Sequence, residues 1–323
     1  MIIDAQVHEP VPAHSTGSEQ DPAVATEVLV ASMDAAGVDR AVVTSARAEF
    51  VDHACRAFPE RFGHLVDLQP GDPDPEGRVR AVREDRTAVG LRVRVATPPQ
   101  RRLTDAPAEG IEKLRRGDFD PIFAAAAAQG VPACVYASGH LPDLKAVCER
   151  FPGLTLVIDH LGLLQPLAIF DPPSQCDTPP FRRLDELLAL AEFPGVAVKV
   201  SGVPTLSTQP YPFPDVIGPL CEVLAAFGPQ RLLWGSDIQR CRMQFRFEGF
   251  RSGIHAATGA ATPGRHTYAE ALHFLKDSAA FDEETKRALL GGNALRWLDW
   301  SNAAGPAAAV TRLPDTTSAP EER

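Results

Sequence analysis

Leu156-Val157-Ile158-Asp159-His160-Leu161-Gly162 is the stretch that decides how this chain folds. Three apolar residues read as a short strand covered on both faces, and the polar pair after them ends it with reactive side chains. The same pattern occurs twice more. Ile2-Ile3-Asp4-Ala5-Gln6-Val7-His8 opens the chain, and Leu232-Leu233-Trp234-Gly235-Ser236-Asp237 lies towards its C-terminal part. Polar groups gathered at the ends of parallel strands are what a (β/α)8 barrel presents at its C-terminal, catalytic face.

Working outward, eight short apolar runs are expected as strands, at 2–7, 41–45, 64–68, 89–95, 132–137, 155–159, 196–201 and 232–236. Helical patterns separate them, among them Val24 to Ala36, His53 to Phe58, Asp120 to Gln129, Leu141 to Phe151, Leu184 to Glu192 and Val216 to Phe227. Several stop at Gly or Pro, as in Ala36-Gly37-Val38 and Gln129-Gly130-Val131-Pro132. Eight alternations without a break in composition predict one TIM barrel over residues 1–302. Residues 303–323 mix Ala, Pro, Thr and Glu without periodicity and are expected to be a disordered tail. Three long connections, 9–22, 161–183 and 238–267, follow strands and would shape a pocket.

Composition narrows the function. The net charge of −10 argues against a general nucleic-acid binder, and the 44% hydrophobic content is ample for one core. No apolar run is long enough for a membrane span, and a strand begins where a signal peptide would lie, so a cytoplasmic enzyme is expected. The six cysteines form no CxxC pair and are expected as free thiols, most of them buried.

Gln6 and His8 are two apart on one strand and should face the same side. His8 alone reads more readily as a hydrogen-bonded core histidine. In the company of His160 and Asp237, at other strand ends, chemistry becomes the stronger reading. His160 suits an acid, an oxyanion stabiliser or a metal ligand. Asp237, behind Leu232-Leu233-Trp234, would be partly desolvated and suits a general base, although an Asp after a strand is also a common helix cap. Lys199 and Ser201 share a face. The lysine could stabilise an oxyanion, pair with Asp237, or form a structural ion pair. Arg92 and Arg94 also share a face, where a guanidinium could clamp a substrate carboxylate or make a salt bridge. Tyr136 could donate to a substrate oxygen or simply pack. Arg240 is the arginine of its loop nearest to Asp237, and a charged loop can also be merely solvated.

Taken together, these residues resemble the amidohydrolase superfamily, in the amidohydrolase 2 branch that includes lactonases and decarboxylases. Asp159-His160-Leu161-Gly162 is similar to its DHLG signature and Gly235-Ser236-Asp237 to its GSD. Lys199-Val200-Ser201-Gly202 is similar to its K-x-S-G, Gly90-Leu91-Arg92 to its strand-four G-x-R, and Gly292-Asn293-Ala294 to its C-terminal GNA. The likeness runs to about Trp300 and is nearest the 2-pyrone-4,6-dicarboxylate lactonase type, with sugar-lactone hydrolases close by. It implies a (β/α)8 barrel that hydrolyses an ester or lactone C–O bond. The chain departs from the branch at two positions. Gln6 stands where the superfamily carries the first His of a metal-binding His-x-His, and Tyr136-Ala137-Ser138 offers no strand-five ligand.

The expectation is therefore a lactonase-like hydrolase without a required metal. Asp237 would activate water, and His8, His160 and Lys199 would stabilise the oxyanion. Gln6, Arg92, Tyr136, Ser201 and Arg240 would bind a small carboxylated substrate. Should one zinc or manganese bind, His8, His160 and Asp237 are its expected ligands. The rival readings are a metal-dependent decarboxylase, an acid–base tailoring enzyme of specialised metabolism, and a ligand-binding barrel without turnover. Assembly into a homo-oligomer is compatible with all of them.

Overall fold

The computed structural model describes residues 1–10, 21–45, 47–96, 106–163, 181–207, 209–238 and 267–300. One parallel sheet carries eight strands in sequence order. They are β1 (Ile3–Val7), β2 (Arg40–Val43), β3 (Phe62–Asp67), β4 (Ala88–Arg94), β5 (Ala133–Tyr136), β6 (Leu156–Ile158), β7 (Val196–Ser201) and β8 (Leu232–Gly235). Across the seam between β8 and β1, the Asp237 N–H donates to the Gln6 carbonyl at 2.9 Å. The helices include α1 (Pro22–Ala36), α2 (Ala48–Ala57), α3 (Pro75–Glu84), α4 (Ala106–Arg116), α5 (Asp120–Gln129), α6 (Leu141–Arg150), α7 (Leu184–Leu188), α8 (Pro214–Phe227) and α9 (Tyr268–Lys276). Two short helices follow, α10 (Glu283–Arg287) and α11 (Asn293–Trp297). This is the expected (β/α)8 barrel.

Alternation along the strands builds two cores. Val43, Leu91, Val93, Val135, Ile158, Val198 and Trp234 pack outward with the helices. Val42, Leu65, Val89, Cys134, Val157, Ala197 and Leu233 pack inward, joined by Ile3 and Ala5. Ala294, Leu298 and Trp300 from the C-terminal segment join this inner cluster. Asn293 holds that segment in place, its side-chain N–H groups donating to the carbonyls of Pro229 and Leu232 at 2.7 Å each. The Gly-Asn-Ala motif therefore serves the barrel floor.

Differences from the expected boundaries have local causes. The strand expected over 155–159 stops at Ile158, because His160, Leu161 and Gly162 all take positive φ and turn the chain. The helix expected over His53 to Phe58 starts earlier, at Ala48. Gly37 and Gly130 end α1 and α5 in left-handed caps, as the sequence suggested. The long connections lie largely outside the described residues, as do Arg240 and the segment 303–323.

The β1–β2 register shifts between Asp4 and Val7. This irregularity lets Ala5 stay with the inner core while Gln6 also reaches interior partners. At the seam, Gly235 leaves no room for a side chain. A Cβ there would lie 2.9 Å from the Gln6 Cβ and 3.0 Å from the Ser201 Cβ. Gly235→Ala should therefore destabilise the fold by on the order of 1–3 kcal/mol, read as a lower urea midpoint. An unchanged midpoint would contradict this close approach.

Candidate active site

The site rests on a buried cluster of charge. Asp159 begins the turn after β6, and Lys199 rises from β7; both are fully buried. The Lys199 Nζ lies 3.0 Å from Asp159 Oδ1, and the Arg92 Nε lies 3.6 Å from Oδ2. Burial by itself would push the Lys199 pKa down, but the nearby Asp159 charge prevails and holds it above the ordinary lysine value. The lysine is therefore charged. It also donates to the Gln6 Oε1 at 2.9 Å, and Arg92 Nη1 donates to the Thr44 carbonyl at 2.8 Å.

Above this cluster two histidines meet one carboxylate. Asp237 is fully buried just beyond β8. His8 Nε2 lies 3.5 Å from its Oδ1, and His160 Nδ1 lies 3.6 Å from its Oδ2. His160 is also 2.8 Å from Ser201 Oγ through Nδ1 and 3.4 Å from the Gln6 amide nitrogen through Nε2. The ring of Tyr136 stands edge-on to His160, with centroids 5.8 Å apart. Both His160 (φ 56°) and Asp237 (φ 46°) adopt left-handed backbone. Non-glycine residues rarely accept that conformation, and where they do it often marks a functional site.

The structure thus brings Gln6, His8, Tyr136, His160, Lys199, Ser201 and Asp237 into one network. Lys199 takes Asp159 as its ion-pair partner, in place of the Asp237 pairing considered from sequence, because β6 and β7 are adjacent and both residues point inward. Arg92 lies beneath the site against Asp159 and the Thr44 carbonyl. Arg94, one step further along β4, is more exposed and pairs with Asp67 at 2.5 Å.

Sequence reasoning passed over Asp159, Thr44 and Asp4 as members of the site. Asp4 is fully buried at the β8–β1 seam. It accepts from the backbone N–H of Ser236 (2.8 Å) and of Gln6 (3.0 Å), and from the Tyr268 hydroxyl (2.8 Å). It braces the two strand ends that carry Gln6 and Asp237. A carboxylate inside the apolar run Ile2-Ile3-Asp4-Ala5 was the signal that could have revealed it.

Known proteins resemble this chain in family and in fold. The family model described as Amidohydrolase matches residues 3–300. An L-fucono-1,5-lactonase of Burkholderia multivorans is 35% identical over 113 residues, 33% of this chain and 37% of that protein. A 4-sulfomuconolactone hydrolase of Rhizobium radiobacter is 32% identical over 99 residues, 30% of each chain. The matched stretches span well under half of either curated relative. An amidohydrolase from Burkholderia multivorans, solved with bound zinc, shares the fold with a TM-score of 0.62 and 21% identity, over 92% of this chain and 98% of that one.

Burial raises the Asp4 carboxyl to about 6 from 3.8, against the lowering effect of its hydrogen bonds to Ser236, Gln6 and Tyr268. The folded state therefore keeps a proton that the unfolded state has released. Stability from this group falls as pH rises from about 4 to about 6, by on the order of 3 kcal/mol. Urea unfolding of wild type and Asp4→Asn across that window should show the wild type losing stability relative to the variant. A constant difference would contradict it.

Proposed function

Since the chain belongs to the amidohydrolase family, we propose that it hydrolyses a lactone or related cyclic ester carrying a carboxylate. The observation that carries this reading is the buried Asp237, with an imidazole nitrogen within 3.6 Å of each of its oxygens. Asp237 takes a proton from water as the water attacks the ring carbonyl. As Asp237 becomes protonated, the imidazole N–H groups of His8 and His160 that faced it are released to the tetrahedral oxyanion and stabilise it. Collapse breaks the ring C–O bond, and the proton passes to the departing oxygen, giving a hydroxy acid. Tyr136 and Ser201 flank His160, and Arg240 is assigned to the substrate carboxylate, while Arg92 supports the site from below against Asp159 and the Thr44 carbonyl. Lys199 acts through Gln6 and Asp159, since it is fully buried beneath them.

The balance of buried charge favours a reaction without a metal. Among the described residues of the inner cluster, the cations Arg92 and Lys199 balance the carboxylates Asp159 and Asp237. When Asp237 accepts its proton, the cluster beneath it is left with one net positive charge, which favours the oxyanion forming above. A resident divalent ion fits this set poorly. Lys199 already occupies the Gln6 oxygen, the amide's metal-binding atom. Zinc is a feature of the solved Burkholderia relative, and no step here is routed through it.

The two curated relatives, named for a sugar-acid lactone and a sulfonated muconolactone, favour ring opening over decarboxylation. The proposal is of a cytoplasmic enzyme acting on a small molecule. No helix among the described residues is long and apolar enough to cross a membrane.

Sugar-acid lactones, muconolactones and pyrone carboxylates should be assayed with wild type and Asp237→Asn. One series should open to its hydroxy acid, and the variant should lose about 10³-fold or more in kcat while still binding substrate. Carbon dioxide release without ring opening would instead establish the decarboxylase. Binding without turnover in the wild type would establish a binding barrel.

A further inference from the structure

We infer that Gln6 and Thr44 fix the tautomers of the two histidines, so that each ring turns an N–H towards Asp237. For its catalytic meaning the inference rests on the hydrolytic reading above. An ammonium group has donors and no acceptor, so the Gln6 atom 2.9 Å from Lys199 Nζ must be the amide oxygen. The Gln6 NH2 group then faces His160 Nε2 at 3.4 Å. That amide nitrogen only donates, so His160 Nε2 must offer its lone pair. A neutral imidazole carries one N–H, which places the His160 proton on Nδ1. Nδ1 is the atom 2.8 Å from Ser201 Oγ and 3.6 Å from Asp237 Oδ2.

His8 meets a different neighbour, Thr44. The Thr44 hydroxyl has one proton and donates it to the Val7 carbonyl at 3.1 Å. With that proton on the carbonyl, the Thr44 oxygen accepts from His8 Nε2 at 3.2 Å, and the acceptor-only carboxylate of Asp237 beside the same nitrogen favours the N–H there. The same nitrogen lies 3.5 Å from Asp237 Oδ1. Both nitrogens that face the carboxylate are thus protonated.

The two N–H groups favour a negatively charged Asp237, the form a general base needs. Lys199, Gln6 and Thr44 are therefore positioning residues. They act through the histidines, and none need touch the substrate.

The test is nitrogen NMR of the full chain with ¹⁵N-labelled histidine, assigned with His8→Gln and His160→Gln. His160 should show the Nδ1–H pattern and His8 the Nε2–H pattern at neutral pH. Gln6→Glu puts an acceptor opposite His160 Nε2 and should move the proton there, or make the ring an imidazolium. Gln6→Met removes the donor without adding an acceptor, and should give a tautomer mixture if the glutamate variant does not fold. Thr44→Val should release His8 in the same way. In Gln6→Glu, kcat should fall by about tenfold or more with a smaller change in KM. An Nε2–H or doubly protonated His160 in the wild type would overturn the inference. So would a pattern unchanged in both Gln6 variants. The NMR pattern does not depend on any lactone being turned over, so its failure and that of the hydrolytic reading are separable.

Discussion

Lys199 places a full positive charge inside the barrel, and much of the site can be understood as the consequence. A lone buried ammonium would be expensive, so β6 must deliver Asp159 beside it. Its remaining donor capacity turns the Gln6 oxygen inward and the Gln6 amide nitrogen towards His160. Arg92 completes the cluster against Asp159 and reaches across to the β2 end through the Thr44 carbonyl. The same ion pair therefore links strands β1, β2, β4, β6 and β7 below the histidines. Such a cluster adds little net stability compared with apolar packing. What it supplies is orientation and a charge balance that the reaction can tip.

The upper part of the site is held by backbone as much as by side chains. His160 and Leu161 turn in left-handed conformation, and Gly162 completes the turn. The His160 N–H is caught by Ser201 Oγ at 3.2 Å. On the opposite side Asp237 is also left-handed, and its N–H is tied to β1. Asp4 underpins this seam from the outer side, through Ser236, Gln6 and Tyr268. A base and its two imidazoles can keep separations of 3.5–3.6 Å only if those strand ends do not drift.

How much of this could be read from the sequence depends on the kind of signal. Strand order and the placement of His8, His160 and Asp237 were legible, because apolar runs ending in polar residues follow directly from parallel strands covered on both faces. The pairing of Lys199 was not legible. Whether it meets Asp159 or Asp237 depends on the register of adjacent strands, which no local pattern encodes. Asp4 was hidden because the irregularity in β1 breaks strict alternation, so its two-residue spacing from Gln6 misleads about its side. Thr44 participates through one hydroxyl and one carbonyl, and nothing in the sequence distinguishes it from other threonines at strand ends. The turn at His160 and Leu161 was equally silent, since leucine carries no preference for positive φ.

The central claim is that two neutral imidazoles, each turning an N–H towards Asp237, and an inner charge cluster carry the hydrolysis without a metal. It is tested most directly by measuring metal content and lactone turnover on one sample, purified without added metal, before and after chelation. Metal well below one atom per chain with turnover unaffected by the chelator is the predicted result. About one zinc or manganese per chain, with activity lost on chelation and restored by the ion, would contradict it.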